Sequence, residues 1–510
     1  MLARVHSATL IGVDAHPVQI EVDITRGMEA FNIVGLPDAA VRESRERVRS
    51  AIRNSGFQYP RDRTTVNLAP ADIRKEGPSF DLPIAIAVLL ASGQISADGI
   101  DETAIIGELA LDGLVRPVSG ALPIALGAKQ DGKVRLVVPE HNGPEAAVVS
   151  DFEVYGADNL YDTVRMLEEG FLHEPVTVSE EELDPQTADY GIDLSDVKGQ
   201  EHVKRALEVA SAGGHNMLMI GPPGAGKTML ARRMPSILPP MSFDEALEVS
   251  KLYSVAGLMP EKTALVRTRP FRAPHHTVST AGLVGGGSIP QPGEVSLAHN
   301  GVLFLDELPE FGHAALEVLR QPLEDGTVTI ARAQMALTFP ANFQLVAAMN
   351  PCPCGFRGDP ARQCTCSAGH IARYLKRISG PLQDRIDIQV EVPRLAAEEV
   401  MTRQPGEPST SVQQRVIAAR KVQQARFEGT PFHNNAAMNT KALRQFCPLS
   451  EEVASLLRSA IDQFQLSARA HDRVLKVART IADLEAAEDI KVHHIAEAVQ
   501  YRSLDRKFWG

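Results

Sequence analysis

Residues 215–238 read HNMLMIGPPGAGKTMLARRMPSIL and combine an apolar strand, a glycine-rich loop and a helix. Residues 221–228 match the pattern G-x-x-x-x-G-K-[ST] without a mismatch. Glycines let backbone N–H groups turn toward phosphates, and the following helix offers its N-terminus to the negative charge. A turn that binds nothing is the alternative, but the strand and the helix that the motif needs are both present. The pattern predicts an ATP and Mg²⁺ site formed by Gly221, Pro222, Pro223, Gly224, Ala225, Gly226, Lys227 and Thr228.

A second apolar run, VLFLDE at residues 302–307, ends in two carboxylates. Alone, this pattern is typical of a strand that enters solvent. Downstream of the phosphate loop, it predicts that Asp306 binds Mg²⁺ together with Thr228, and that Glu307 activates water against the γ-phosphate. Lys227 is expected to reach the β- and γ-phosphates.

A third apolar run, LVAAMN, ends in Asn350. The amide there is expected to hold the attacking water, and the alternative is an Asn that begins a turn before Pro351. Short apolar strands that alternate with helices predict an α/β fold with a parallel sheet covered on both faces.

The 510 residues are too many for one ordinary domain. Residues 1–171 mix strand-like alternation with helical segments and predict an α+β domain. Residues 172–196 carry eight acidic residues and no Lys or Arg, which predicts a linker. Residues 197–400 contain the three runs above, and residues 401–510 show helical patterns. Without a long apolar run or a secretory leader, we expect a cytoplasmic protein that contacts no membrane.

Long motifs outside the nucleotide site resemble those of the ComM/YifB family, which belongs to the magnesium-chelatase-like branch of AAA+ proteins. The resemblance covers essentially the whole chain. It rests on FNIVGLPDAAVRESRERVRSAI, VNLAPADIRKEGPSFDLPIA, IIGELALDGLVRPVSGALP, FRAPHHTVSTAGLVGGG, SGPLQDRIDI and LSARAHDRVLKVARTIADLE. It implies a Lon-protease-like N-terminal domain, an AAA+ core, a C-terminal helical lid and a homohexameric ring. The implied activity is ATP-dependent DNA unwinding and branch migration on single-stranded and branched DNA, which would promote integration of transforming DNA alongside recombination proteins.

The resemblance also assigns roles to two arginines. Arg385, in LQDRID, is implied to be the arginine finger offered to the neighbouring subunit's nucleotide. Arg469, in SARAHDRV, is implied to be the sensor arginine of the helical lid, and Arg473 competes with it for that role. The alternative for both roles is a surface salt bridge.

Basic residues cluster between the phosphate loop at residues 221–228 and the VLFLDE run at residues 302–307. Residues 262–293 include Arg267, Arg269 and Arg272 with no acidic residue, and a later segment, DGTVTIARAQMALTFP, reads as a hairpin that carries Arg332. The net charge of −12 argues against a surface that is basic throughout, but not against a local basic channel. In the family the insertion faces the pore, so these arginines are expected to contact DNA phosphates. A solvated charged face is the alternative.

Four cysteines stand as C-x-C-x₉-C-x-C in PCPCGFRGDPARQCTC, namely Cys352, Cys354, Cys364 and Cys366. Two close pairs of thiolates joined by a short loop can surround Zn²⁺ tetrahedrally, and His370 could replace one of them. The alternative is a set of reduced structural cysteines. Cys447 stands apart and is expected in a core.

Three classes of function follow from these motifs. A DNA helicase is favoured over a metal-chelatase motor subunit, because such subunits normally lack the Lon-like domain. An ATP-dependent protease is the third class. Ser79 lies where Lon carries its nucleophile, but the position of the required lysine holds Leu122, and the next lysine is Lys129. We therefore expect a non-proteolytic domain.

Overall fold

The computed structural model describes residues 2–185, 190–287, 290–331, 336–359, 362–395, 406–464 and 467–508. The chain forms two compact units. The first unit comprises residues 1–187 and 242–267, and the second comprises residues 188–241 and 268–510.

A seven-stranded mixed sheet organises the first unit, in the order β3-β4-β2-β1-β5-β8-β9. Strands β1, β2 and β4 pair antiparallel, whereas β5, β8 and β9 are parallel. Alternate side chains of β2 are buried, as expected for a strand with one covered face. The strands are β1 Leu2–Ile11, β2 Asp14–Thr25, β3 Ala30–Val34, β4 Arg63–Ala69, β5 Thr103–Ile105, β6 Glu108–Leu109, β7 Val115–Arg116, β8 Arg135–Pro139 and β9 Glu153–Ala157.

The helices of the first unit pack on this sheet. The first helix begins after Asp38, whose side chain accepts a hydrogen bond from the backbone N–H of Val41. The second helix, Asp81–Ala91, is almost wholly buried, which agrees with its continuous apolar sequence. The α-helices are Ala39–Asn54, Asp81–Ala91, Ala121–Gln130, Gly143–Ala146, Leu160–Glu168, Glu180–Leu183 and Phe243–Val255, and the 3₁₀ helices are Pro78–Phe80, Ile100–Glu102 and Glu140–Asn142.

The helix Phe243–Val255 belongs to this first unit, although its sequence lies inside the segment expected to form the ATPase core. Its Ser254 carbonyl accepts a hydrogen bond of 2.9 Å from Gly120 N–H, and its Ser254 hydroxyl lies 3.4 Å from Leu122 N. The predicted domain boundaries at 171, 196 and 400 stay predictions. Within the predicted linker, Ser179 and Glu182 form a capping box around one short helical turn.

The second unit contains the predicted parallel sheet, with five strands in the order β11-β14-β17-β10-β18. Every adjacent pair is parallel. The three apolar runs of the sequence form its centre, and the apolar side chains of these strands are buried. The strands are β10 Met217–Ile220, β11 Phe271–Arg272, β14 Val302–Leu305, β17 Gln344–Met349 and β18 Ile388–Glu391, with hairpin strands β12 Gly285–Gly286, β13 Gln291–Pro292, β15 Thr327–Ala331 and β16 Ala336–Pro340.

Helices surround this sheet, and the C-terminal ones share one apolar core with it. The predicted hairpin is present as β15 and β16, which pair antiparallel. Whether the C-terminal helices act as a lid stays a prediction. In the described residues, no helix is long and apolar enough to span a membrane. The α-helices are Glu201–Gly213, Lys227–Ile237, Thr280–Val284, Glu294–Leu297, His313–Glu317, Arg320–Asp325, Ala368–Leu375, Gly380–Gln383, Ser409–Arg426, Thr440–Phe446, Glu451–Phe464, Ala468–Leu484, Val492–Gln500 and Leu504–Phe508, and the 3₁₀ helices are Leu194–Asp196, Leu308–Glu310 and Asn435–Ala437.

Candidate nucleotide site

The phosphate loop connects β10 to the helix Lys227–Ile237, as the sequence predicts. Gly226 has φ 87° and Gly224 has φ 77°, a backbone region that favours glycine. At Gly221, a Cβ atom would lie 2.1 Å from the carbonyl oxygen of Val392, so no larger residue fits. The loop therefore has the form that exposes backbone N–H groups at a helix N-terminus, where phosphate oxygens are bound in such motifs.

Lys227 is buried at the base of the loop. Its ammonium donates hydrogen bonds of 2.7 Å to Gly221 O and 3.0 Å to Pro222 O, and it lies 3.2 Å from Asn350 Oδ1. Burial lowers the pKa of Lys227 from its ordinary value, and nearby carboxylates oppose that shift. The carbonyl oxygens of Gly221 and Pro222 and the side-chain oxygen of Asn350 therefore surround the ammonium at the base of the loop.

Thr228 and Asp306 form the pair expected to hold Mg²⁺. The Thr228 hydroxyl donates a hydrogen bond of 2.6 Å to Asp306 Oδ2. A hydroxyl and a carboxylate are hard oxygen ligands, which Mg²⁺ prefers, and their close approach suits a cation that also binds phosphate oxygens. The two residues present therefore fit the metal that an ATP site requires.

Glu307 and Asn350 follow neighbouring strands of the sheet, β14 and β17. Glu307 adopts φ 53°, which is uncommon for a residue with a Cβ atom, and its side chain is 52% exposed. Its backbone N–H donates to Asp306 Oδ1 at 2.9 Å. The edge of the sheet thus brings together Lys227, Asp306, Glu307 and Asn350, although their catalytic roles stay predictions.

Arg385 lies after the short helix Gly380–Gln383, and within the described part of the chain its guanidinium bonds to residues outside the phosphate loop. The guanidinium donates to Pro381 O and to the carboxylate of Glu324. Its Nε is buried without a hydrogen-bond partner in the described residues. Burial lowers the pKa of Arg385 from its ordinary value, and three neighbouring arginines add to that shift. The role of Arg385 at a second subunit's nucleotide stays a prediction.

The two candidate sensor arginines differ in their surroundings. Arg469 is 72% exposed at its side chain and donates to Asp384 at 2.7 Å. Arg473 is mostly buried and donates to the carbonyl oxygens of Gln383 and Ile386 at 3.3 and 3.1 Å. Arg473 therefore supports the backbone beside Arg385, which favours Arg469 as the arginine able to reach a ligand. The choice between them stays a prediction.

The arginines expected to contact DNA are engaged by other protein groups. Arg267 donates to Glu181 O at 2.9 Å. Arg269 donates to three carbonyls, at distances of 2.6, 2.6 and 3.3 Å, and so holds neighbouring loops together. Arg272 binds Glu294 with two hydrogen bonds of 2.6 and 2.7 Å. Arg332 lies outside the described residues.

The four clustered cysteines converge in space, as their spacing predicts. Cys352 Sγ lies 3.4 Å from Cys354 Sγ and 3.7 Å from Cys364 Sγ, and all four sulfur atoms, Cys366 included, lie within 4.8 Å of one another. Burial alone would raise the pKa of Cys354, but backbone N–H groups and the neighbouring thiol of Cys352 lower it to about 6. His370 is not a member of this group among the described residues.

The residues considered for proteolysis have structural contacts. Ser79 lies in the 3₁₀ helix Pro78–Phe80, where its carbonyl accepts a hydrogen bond of 2.8 Å from Gly107 N–H. Leu122 is fully buried, and Lys129 donates to the carbonyl of Ser150 at the surface. The absence of proteolytic activity stays a prediction.

Two neighbours of the nucleotide site were not foreseen from the sequence. His276 Nδ1 lies 3.4 Å from Glu307 Oε2, although His276 falls within the basic segment 262–293 of the sequence. At Gly355, a Cβ atom would lie 2.6 Å from Pro223 Cδ, so the cysteine loop packs directly on the phosphate loop. The sequence carries no signal for the first contact, because that contact depends on the pairing of β11 with β14.

Comparisons with known proteins identify the family of the chain. Three family models match: "Magnesium chelatase, subunit ChlI" over residues 193–400, "Subunit ChlI of Mg-chelatase" over residues 20–142, and "Magnesium chelatase, subunit ChlI C-terminal" over residues 406–502. The protein YifB of Escherichia coli K12 is 46% identical over 99% of this chain and 98% of its own length. The competence protein ComM of Haemophilus influenzae Rd is 45% identical over the same shares.

A more distant similarity concerns Lon protease 2 of Bacillus subtilis, which is 28% identical over 24% of this chain and 25% of its own length. This similarity gives only partial support to the expectation of a Lon-protease-like N-terminal domain, because it covers a quarter of the chain at low identity. The matches to YifB and ComM, by contrast, each cover 99% of this chain. The chain belongs to the magnesium-chelatase-like AAA+ ATPases of the ComM/YifB family.

Proposed function

We propose that this AAA+ ATPase is a homohexameric DNA motor that unwinds or migrates branched DNA, and so promotes integration of transforming DNA during recombination. The observation that carries the proposal is the shared sheet edge of Lys227, Thr228, Asp306 and Asn350, combined with an arginine, Arg385, whose partners lie elsewhere. In some nucleotide-hydrolysing motors a neighbouring subunit supplies an arginine to the site, and we propose Arg385 for that role.

Support for DNA as the substrate comes from the printed name of a relative, since the Haemophilus protein is a competence protein. Arg332 lies in the sequence between the end of β15 and the start of β16, and an arginine suits contact with a phosphate backbone without reading sequence. Arg269 and Arg272 support the local structure. An experiment that replaced them could not distinguish a loss of DNA contacts from a loss of packing.

The second candidate is a motor subunit for metal insertion, because all three family models describe a magnesium chelatase subunit. Such a subunit would hydrolyse ATP without any response to DNA. The two candidates therefore differ in one measurable property, which is the coupling of ATP hydrolysis to a nucleic acid.

The test measures ATP-dependent unwinding of a forked duplex and migration of a three-stranded junction, with Lys227→Ala as the inactive control. We expect both activities, hydrolysis stimulated by DNA, and affinity that falls steeply with salt. Arg332→Ala should weaken DNA binding while DNA-free hydrolysis persists. An assembled ring that hydrolyses ATP but shows neither unwinding nor migration would favour the chelatase-type function.

We also propose that Cys352, Cys354, Cys364 and Cys366 bind one Zn²⁺. Sulfur atoms at the corners of a zinc tetrahedron lie roughly 3.8 Å apart for Zn–S bonds of about 2.3 Å. The recorded separations of 3.4, 3.6 and 3.7 Å are close to that value. Structural zinc would fix the loop that packs on Pro223 through Gly355.

A further inference from the structure

Side chains from distant parts of the second unit's sequence hold the backbone around Arg385. Arg473, on the helix Ala468–Leu484, donates to the carbonyl oxygens of Gln383 and Ile386 at 3.3 and 3.1 Å. The carbonyl oxygen of Arg385 itself accepts a hydrogen bond of 2.9 Å from the side-chain amide of Asn216. The backbone that carries the Arg385 guanidinium is therefore fixed from two different elements.

Asn216 lies directly before β10 and joins the beginnings of three neighbouring strands. Its Oδ1 accepts a hydrogen bond of 2.9 Å from Leu345 N–H in β17, while its Nδ2 donates to Arg385 O. Its backbone carbonyl accepts from Asp387 N–H at 2.9 Å and from Ile388 N–H, at the start of β18, at 3.1 Å. Both polar atoms of the side chain are thus used, and each has a different partner.

Asn216 lies at the opposite end of β10 from its own subunit's phosphate loop. That loop begins at Gly221, after the last residue of the strand. At about 3.3 Å per residue, the strand separates Asn216 from Gly221 by roughly 16 Å. An effect of Asn216 on hydrolysis is therefore expected to pass through Arg385 rather than through the loop of the same chain.

We propose that Asn216 is a positioning residue that sets the backbone of Arg385, so that the guanidinium meets the nucleotide of the neighbouring subunit. An arginine stabilises charge on a transferring phosphoryl group only when its N–H groups are aimed at the oxygens in advance. The Asn216 hydrogen bond fixes the main chain from which that side chain extends. This inference rests on the proposed function, in which Arg385 serves the neighbouring subunit's site.

The first experiment measures steady-state ATP hydrolysis by Asn216→Ala and Asn216→Asp. Asn216→Ala removes both side-chain hydrogen bonds, whereas Asn216→Asp keeps the acceptor for Leu345 N–H and loses only the donor to Arg385. Displacing a catalytic group by about 1 Å can cost about 100-fold in rate, so we expect kcat to fall at least about tenfold in both variants. The KM for ATP should stay within about twofold of the parent, since the phosphate loop is unchanged.

Mixed rings show which subunit's nucleotide Asn216 serves. Asn216→Ala chains mixed with Lys227→Ala chains should recover hydrolysis, because an intact site then meets a correctly held Arg385 across the subunit boundary. Asn216→Ala chains mixed with Arg385→Ala chains should not recover, because every interface then has a displaced arginine or no arginine. If Asn216 acted on its own subunit's phosphate loop, the two mixtures would give the opposite pattern.

Asn439→Ala is the matched control. The Asn439 side chain accepts a hydrogen bond of 2.9 Å from Ala442 N–H before the helix Thr440–Phe446, so this variant also loses a contact with a backbone group in the second unit. It should not alter kcat. Binding of a fluorescent ATP analogue and size-exclusion chromatography show that each variant binds nucleotide and assembles. If Asn216→Ala does not assemble, Asn216→Asp enters the same mixtures.

A parental kcat in Asn216→Asp, or the opposite pattern in the mixed rings, would overturn the inference. Rings that mix Lys227→Ala with Arg385→Ala test the proposed function separately. Recovery in those rings, but not in the mixture of Asn216→Ala with Lys227→Ala, would overturn the inference alone. No recovery in any mixture would refute the arginine finger of the proposed function and the role of Asn216 with it. A ring that shows the expected pattern but does not unwind DNA would support the role of Asn216 and refute the DNA motor.

Discussion

The hydroxyl of Thr228 donates a hydrogen bond of 2.6 Å to Oδ2 of Asp306, which lies 78 residues later in the chain. This contact joins the helix after the phosphate loop to the end of β14. Because Glu307 follows directly, the same contact fixes the distance between the metal pair and the expected base.

Replacing Glu307 by Gln should separate binding from turnover. The amide keeps the shape of the side chain but cannot accept the proton, so hydrolysis should fall by about 100-fold or more. Lys227→Ala should instead abolish ATP binding. Steady-state hydrolysis and equilibrium nucleotide binding give the two readouts. Parental hydrolysis by the Glu307→Gln protein would show that another group activates the water.

Arg385→Ala should leave nucleotide binding intact and remove most hydrolysis, by about 10³-fold if the arginine acts as a finger in trans. Mixing this protein with the Lys227→Ala protein should restore some hydrolysis, because hybrid interfaces combine an intact site with an intact finger. The measurement is the hydrolysis rate against mixing ratio, with mixed rings shown by differently tagged chains. Mixed rings without any recovery would place Arg385 outside the active interface.

Purified protein should contain close to one zinc per chain, measured by elemental analysis without chelators. Cys364→Ser together with Cys366→Ser should remove it, because two remaining thiolates cannot complete the tetrahedron. Cys447→Ser is the matched control, since Cys447 is a buried cysteine of the second unit's apolar core. Metal-free parent protein would contradict the zinc proposal.

Gly355→Ala should raise the KM for ATP several-fold while zinc stays bound. Gly355 has φ 83°, and an added Cβ atom would lie 2.6 Å from Pro223 Cδ in the phosphate loop. Gly358→Ala provides the control, because Gly358 has φ 82° and nothing within 4 Å of the added atom. Both variants carry similar backbone strain, so equal KM values for the two would rule out a contact effect.

Asp387→Asn should destabilise the second unit at neutral pH. Burial alone would raise the pKa of Asp387, but the hydrogen bond from His215 and the charge of Arg473 help to lower it to about 2. At pH values above the ordinary pKa of Asp, this lowered pKa contributes about 2 kcal/mol to the free energy of unfolding. The contribution is lost as pH falls from about 4 to about 2.

Urea unfolding followed by circular dichroism checks this difference at pH 7 and at pH 3. The difference in free energy of unfolding between the parent and the Asp387→Asn protein should be smaller at pH 3 than at pH 7. Asp384→Asn is the control, since Asp384 binds the exposed Arg469. If this difference in free energy of unfolding is the same at both pH values, Asp387 stabilises the unit through packing rather than through its charge.

The sequence identified the parts of the fold that depend on local patterns. The phosphate loop, β14, β17 and the hairpin β15–β16 were predicted because apolar runs and their flanking residues are contiguous in the chain. The convergence of four cysteines was predicted for the same reason, since two close pairs and a short loop limit how far the sulfur atoms can separate.

Contacts that depend on strand order were beyond this reasoning. Strand β11 neighbours β14, and β10 lies between β17 and β18, so the sheet order does not follow the chain. Only that order shows that His276 meets Glu307. Charge patterns also do not reveal partners within the chain, since Arg269 donates to backbone carbonyls and Arg272 binds Glu294.

The helix Phe243–Val255 has a consequence for the modularity of the protein. The chain leaves the first unit after residue 187, returns to it at residue 242 and leaves again after residue 267. A truncated chain that began near residue 190 would still carry this helix, with the apolar side chains of Ala246, Val249 and Leu252 deprived of the residues that cover them. Such a fragment would tend to aggregate. The second unit therefore cannot be isolated by a single truncation. A shortened chain that is expected to fold would have to lack residues 242–267 as well as the N-terminal region.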